Sequence, residues 1–285
     1  MPHRSIVAVV VVAWLAANSL LFYREVWPHW RAGGPPPYAI DLTEELGKTH
    51  VNWTIQMGGK DAGRADSHVE RQRDRTYRLR TNLRFTNFRI LDLELPRIST
   101  TYHINEEGEL LDLAVVFQVR LKNKNIDLPD TELTLEGVVK DGEIAPRLLF
   151  DGNEVPVGEG KVAISESGSI LNPMQLLNRV PGLAEGRRWR MPMFDPMKAL
   201  KGFPIFAAVL PAAEKMSTPY LDAEVVADTL RWNDEDVPCY KIEYRKQNEL
   251  DPVAATWVRR RDGLVLQQQS SSGLMDMTLV RDGAR

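Results

Sequence analysis

Over long stretches of this 285-residue chain, hydrophobic side chains alternate with polar ones, and the alternation predicts a mainly β protein. A period of two places the apolar side chains of a strand on one face, which is typical of antiparallel sheets. Acidic-Gly pairs separate these stretches and supply the positive φ that tight hairpins need. We therefore expect antiparallel curved sheets or a half-barrel, with short inserted helices and one N-terminal transmembrane helix in front.

The alternation is clearest in residues 76–85, which read TYRLRTNLRF. As a strand, this stretch places Tyr77 and Leu79 on one face and its arginines on the other. The same pattern recurs later in the chain, at residues 109–122, 131–139 and 240–244. Each of these stretches is predicted to be a strand with one buried face.

The N-terminal residues 1–30 are predicted to be a membrane anchor. Residues 5–23 are uncharged and mostly apolar, and as a helix they reach about 28 Å, close to the thickness of the hydrocarbon core. Aromatic residues typical of the membrane interface follow at Tyr23, Trp27 and Trp30. A signal peptide cleaved near residues 17–19 is the alternative. The positive charges on the two sides are nearly balanced and do not determine the orientation.

Two glycines and three prolines at residues 31–37 predict a stiff spacer between this anchor and a β-rich body at 38–285. The alternation is lost at 158–217, which we expect to be a crossover of loops and short helices. Asn172 and Pro173 suit the N-cap and first position of a helix over 172–180.

An internal echo suggests two lobes in the body. TYHINEEGELL at 101–111 aligns without a gap to TWVRRRDGLVL at 256–266. One interpretation is a duplication, with lobes at 38–157 and 218–285. The other is that two unrelated hairpins share their turn chemistry.

The C-terminal third carries a family resemblance. VPGLAEGRRWRMPMFDPMK at 180–198, and the strand-rich close from 237, resemble the β-rich region that precedes the catalytic domain in some bacterial transglutaminase-like proteins, and related uncharacterised cell-envelope domains. The pattern is also similar to the half-barrel of lipoprotein carriers. The resemblance implies an accessory β domain on the periplasmic side of the cell membrane. It implies no catalytic residues, because no transglutaminase-like domain follows.

Two candidate binding surfaces emerge from the pattern. Arg78, Arg80 and Arg84 would line one strand face and bind anions; the alternative is a solvated face paired with carboxylates. A second candidate is a segment rich in Met and Phe, which would cover an apolar ligand or simply fill the core. Its residues are Met191, Met193, Phe194, Met197, Phe203 and Phe206.

Composition excludes several function classes. The net charge of −3 does not favour a nucleic-acid partner, and scattered histidines with no CxxC motif predict neither a metal nor a cofactor. The single cysteine, Cys239, lies in a strand pattern and is predicted to be packed in a sheet.

The expected function is a non-enzymatic binding or scaffolding module at the membrane. Its partner would be a lipid, a cell-wall polymer or another envelope protein. The alternatives are a carrier of lipid or lipoprotein in an apolar concavity and a hydrolase.

Overall fold

The structure is a computed structural model that describes residues 14, 16–21, 51–90, 93–106, 109–123, 126–127, 130–155, 162–163, 174, 176–192, 220–247, 249–272 and 275–283. Most of the predicted anchor, the spacer and most of the Met/Phe segment lie outside these residues, so the predictions for them stay predictions. Residues 14 and 16–21 are helical. Among the described residues, no helix has the length and apolar character needed to cross a membrane.

The described residues form seventeen strands, all paired in antiparallel fashion. They are β1 (Val51–Met57), β2 (Lys60–Arg71), β3 (Tyr77–Phe85), β4 (Arg89–Ile90), β5 (Leu93–Ile104), β6 (Leu110–Asn123), β7 (Ile126–Asp127), β8 (Thr131–Lys140), β9 (Glu143–Phe150), β10 (Asn153–Val155), β11 (Val162–Ala163), β12 (Arg188–Pro192), β13 (Tyr220–Trp232), β14 (Glu235–Lys246), β15 (Ala254–Arg259), β16 (Val265–Ser272) and β17 (Met275–Arg281). This confirms the predicted mainly β, antiparallel architecture.

The main strands form one meander in which most neighbours in the sequence are neighbours in the sheet. The pairing runs β12, β13, β14, β15, β16, β17, then β1, β2, β3, β5, β6, β8 and β9. Short strands flank it: β4 pairs with β5, β7 with β6, and β10 and β11 with β9. The first described strand, β1, therefore lies in the middle of the sheet.

The seam between β1 and β17 joins the two halves of the body. Its register runs from Trp53 opposite Arg281 to Met57 opposite Met277. Every other pair of neighbours in the meander is close in sequence or linked by one crossover. The β1–β17 seam therefore brings the first and the last described strands into one sheet.

One face of the sheet, which we call the inner face, carries the main core. Buried apolar side chains from both halves form a single cluster there, and the alternation predicted for β3 is confirmed by buried Tyr77 and Leu79. The largest fully buried side chains of the structure are Trp53, Ile55, Leu113, Phe117, Leu135, Ile144, Leu148, Leu221, Ile242, Leu266 and Leu279. Each contributes about 1.5–3 kcal/mol by leaving water. The opposite side is the outer face.

The helix predicted over 172–180 is wrong for residues 176–180, which contain no helix. Val180 donates its amide to the Gly263 carbonyl, and Val265 donates to the Asn178 carbonyl. Leu176 and Leu177 are buried in the core. Backbone pairing with the β15–β16 turn, together with this burial, outweighs a helix start signal because caps contribute only about 1 kcal/mol. Strand β12 also lies in the range where loops and helices were expected.

The echoed hairpins place their equivalent aromatic residues on opposite faces. Tyr102 belongs to the main inner cluster, whereas Trp257 packs with Cys239 and Leu266 in a second cluster on the outer face. A one-residue difference in phase reverses every side chain of a strand. The duplication and the two lobes stay a prediction.

Candidate functional site

The arginine face is the outer face of β3 together with the facing residues of β2 and β5. Arg78, Arg80 and Arg84 all lie there, because each alternates with a residue whose side chain packs on the inner face. The predicted shared face is therefore present in the sheet. Whether it binds anions depends on which of its arginines already have carboxylate partners.

Arg84 is neutralised by the neighbouring strand. Its Nη2 lies 3.0 Å from Oδ1 of Asp66 on β2, and Asn82 donates to the other oxygen of the same carboxylate at 2.8 Å. Arg97 on β5 donates to Asn82 Oδ1 at 3.2 Å. This end of the arginine face follows the alternative interpretation, a solvated surface with cross-strand pairs.

Arg78 and Arg80 differ from Arg84. Within the described part of the chain, neither has a carboxylate oxygen within 4.0 Å of its guanidinium. In register, Arg80 faces His68 on β2 and Thr101 on β5, and Arg78 faces His103 on β5. Arg80 is exposed and Arg78 is half-buried. Two cationic side chains are thus presented on the surface without a close counter-charge.

A hydrogen-bonded chain borders this pair of arginines. His103 Nδ1 lies 2.9 Å from Oδ2 of Asp112 on β6, and its Nε2 lies 2.5 Å from Oγ1 of Thr76. Thr76 in turn donates its hydroxyl proton to Asp74 over 2.6 Å. Hydrogen bonds from the Thr76 side chain and backbone hold the pKa of the Asp74 carboxyl below its usual value.

The order hydroxyl, imidazole, carboxylate resembles that of a hydrolase triad. A nucleophilic hydroxyl must give its proton to the imidazole, but here the Thr76 proton points to Asp74. His103 Nε2 then meets the lone pairs of the Thr76 oxygen, while its Nδ1 contacts the Asp112 carboxylate. This arrangement ties the β2–β3 turn to the sheet and does not activate Thr76.

The sequence did not predict this series of hydrogen bonds, because the residues that form it are distant in sequence. Thr76 and His103 are 27 residues apart, and His103 and Asp112 are 9 apart. The alternation places the side chains of His103 and Asp112 on the same outer face of neighbouring predicted strands. That pattern could have indicated their contact.

The described end of the Met/Phe segment lies in the core. Met191, on β12, is 3 % exposed and belongs to the main cluster; the other five predicted residues lie outside the described residues. A cavity of about 20 Å³ lies on the inner face between β1–β3 and residues 176–179, with Ser67 and Thr81 in its lining. Such a volume holds about one water molecule.

Cys239 is fully buried in the outer cluster beside Trp257. Burial raises the pKa of its thiol, which disfavours the reactive thiolate. The structure therefore places Cys239 packed in the sheet, as predicted. Within the residues that the structure describes, no group of three or more His, Cys, Asp or Glu is arranged to hold a metal ion.

A second charged surface lies on the outer face of β12–β14. Glu224 pairs with Arg188 and with Arg245, and Glu243 pairs with Arg245 and Lys241. Burial raises the pKa of Glu243, but the neighbouring cations outweigh it, so the pKa is lowered overall. Because these charges have partners, this surface offers less free charge than Arg78 and Arg80 do.

No protein-family model matches the sequence, and no curated protein matches it. A similar solved structure is the crystal structure of a β-barrel-like protein of a domain of unknown function, DUF1849, from Brucella abortus. The two chains are 10% identical with a TM-score of 0.41, and the match covers 82% of this chain and 94% of that chain. This similarity is too low to carry an argument. The resemblance to transglutaminase-like proteins and lipoprotein carriers stays a prediction.

Proposed function

We propose that this chain is a non-enzymatic binding module that residues 5–23 hold at the cell membrane, with its body on the periplasmic side. The partner would engage the outer face of the sheet. Carriage of a lipid in an apolar concavity remains the alternative from the sequence, and it depends on residues outside the described ranges.

One observation supports the proposal: the inner face is occupied by the protein's own side chains. A single apolar cluster includes residues of β1 and β17 and extends into both halves of the sheet. The cavity of about 20 Å³ beside β1 is far smaller than the several hundred Å³ typical of ligand pockets. This cavity is too small for a lipid, and we assign partner contact to the outer face, which carries the charged residues.

The geometry around His103 favours binding over hydrolysis. Its hydroxyl neighbour, Thr76, donates to Asp74, so the chain of hydrogen bonds lacks an activated nucleophile. The same contacts fix the turn that precedes Arg78 and Arg80, which suits a surface that must present two cations in a defined position.

Two measurements on the full-length chain test the proposal. We expect it to stay in the membrane fraction after a carbonate wash, whereas a matched chain that begins at Tyr38 should be released. Native mass spectrometry of the full-length chain, freed from detergent, should give the mass of the polypeptide alone. Recovery of the full-length chain in the soluble fraction would refute the tether. A stoichiometric lipid that survives gas-phase activation would favour carriage instead.

A further inference from the structure

We infer that Arg78 and Arg80 form a docking site for the phosphate groups of anionic lipids in the bilayer that holds the N-terminal segment. The inference rests on the proposed membrane tether and adds to it a second contact, made by the folded body. The occupant is a lipid surface, recognised by its phosphates.

The spacing of the two arginines suits a row of phosphates. Residues two apart on a strand lie about 6.8 Å apart and project from the same face. A guanidinium offers a planar fork of donors that matches phosphate oxygens. Thr101, opposite Arg80 in register, places a hydroxyl donor beside the pair.

The other arginines named on the outer face of β2, β3 and β5 have side-chain partners, which distinguishes them from this pair. Arg64 lies 3.6 Å from Asp61, and Arg84 is bound to Asp66. Arg97 donates to Ser99 and to Asn82. Arg78 and Arg80 have no such partner among the described residues. The acidic residue that faces Arg78 in register is Glu70. It is exposed, and its carboxylate lies more than 4.0 Å from the Arg78 guanidinium.

The position of the pair relative to the tether favours a lipid surface over a soluble polymer. The sequence leaves 27 residues, 24–50, between the predicted anchor and β1, so the body stays within about 90 Å of the bilayer. The first residue of β1, Val51, pairs with Ser67, and Ser67 is next to His68, which faces Arg80. A tether gives the body an effective concentration in the millimolar range, at which two basic side chains make a useful contact.

The test uses the full-length chain in nanodiscs of phosphatidylcholine alone or mixed with phosphatidylglycerol. A fluorophore on Val138→Cys reports on docking, because Val138 is exposed on the outer face of β8 and faces Asp112 in register. The buried Cys239 does not compete for the label. A quencher attached to the lipid headgroups reads out approach to the bilayer.

We expect stronger quenching in discs that contain phosphatidylglycerol. The Arg78→Gln/Arg80→Gln variant should lower the docked-to-undocked ratio by about 25-fold, since each basic side chain at an anionic surface contributes about fivefold. The matched control is Arg231→Gln/Arg261→Gln, which removes the same charge from exposed positions of the other half. We expect it to change the ratio by less than about twofold.

Three outcomes would overturn the inference. The first is equal quenching in both kinds of disc. The second is an equal loss in the control variant, which would indicate a response to net charge. The third is that the body docks on neither kind of disc, while soluble polyphosphate binds and its binding depends on Arg78 and Arg80. That result would assign the site to a polymer. Failure of the proposed tether is a separate result, because the chain would then not co-elute with discs of either composition.

Discussion

Replacing Leu279 with alanine tests whether the seam between the first and last strands holds the body together. Leu279 lies on β17, faces Ile55 of β1 on one side and Gln268 of β16 on the other, and is 0 % exposed. The change removes three buried carbon atoms from the strand that joins the two halves. We expect the variant to lose stability without losing the sheet.

The magnitude follows from the removed volume. The lost transfer free energy is about 2.4 kcal/mol, at about 0.8 kcal/mol for each buried carbon, and incomplete collapse of the cavity raises the loss to about 3–4 kcal/mol. The control is Leu250→Ala, the same chemical change at a side chain that is 91 % exposed. It should stay within about 0.5 kcal/mol of the original chain.

Urea unfolding followed by tryptophan fluorescence measures both variants. We expect one transition, a lower midpoint for Leu279→Ala and an unchanged slope, because the exposed area on unfolding is the same. A loss below about 1 kcal/mol would refute the importance of the seam. So would a second transition confined to one half, because it would mean that the two halves fold independently.

Two further predictions concern single ionisable groups. The pKa of Asp74 lies below its usual 3.8 because Thr76 donates to it, so its stabilising effect is full above that pH and is lost as the pH falls through the lowered pKa. The difference in unfolding free energy between the original chain and the Asp74→Asn variant should stay constant from neutral pH to about 4 and shrink below it. Urea titrations at stepped pH measure this difference. A difference that grows on acidification contradicts the assignment. Cys239 should resist Ellman's reagent in the native protein and react fully in urea, because burial raises the pKa of its thiol; rapid reaction of the folded chain would show that the outer cluster is open.

The candidate site was only partly visible in the sequence. Period-two alternation is a local property, so it correctly placed Arg78, Arg80 and Arg84 on one face. It did not separate them, because the carboxylate that neutralises Arg84 belongs to Asp66 on another strand. That contact depends on the β2–β3 register, which a one-residue slip would abolish.

The crossover shows where local signals fail. Asn172 and Pro173 are a sound helix start, yet residues 176–180 contain no helix and pair with the β15–β16 turn. Pairing with Gly263 and burial of Leu176 come from residues far along the chain. Such contacts outweigh capping preferences, which are small and act over one turn.

The sequence by itself determined that the body is built from antiparallel strands and which side chains of an alternating strand share a face, because both follow from the order of neighbouring residues. Tertiary structure decided that β17 closes onto β1, that Thr76, His103 and Asp112 meet, and that Arg78 and Arg80 keep their charge available. These are distances between segments remote in sequence. They are set by register and by the packing of the whole sheet, which no local pattern encodes.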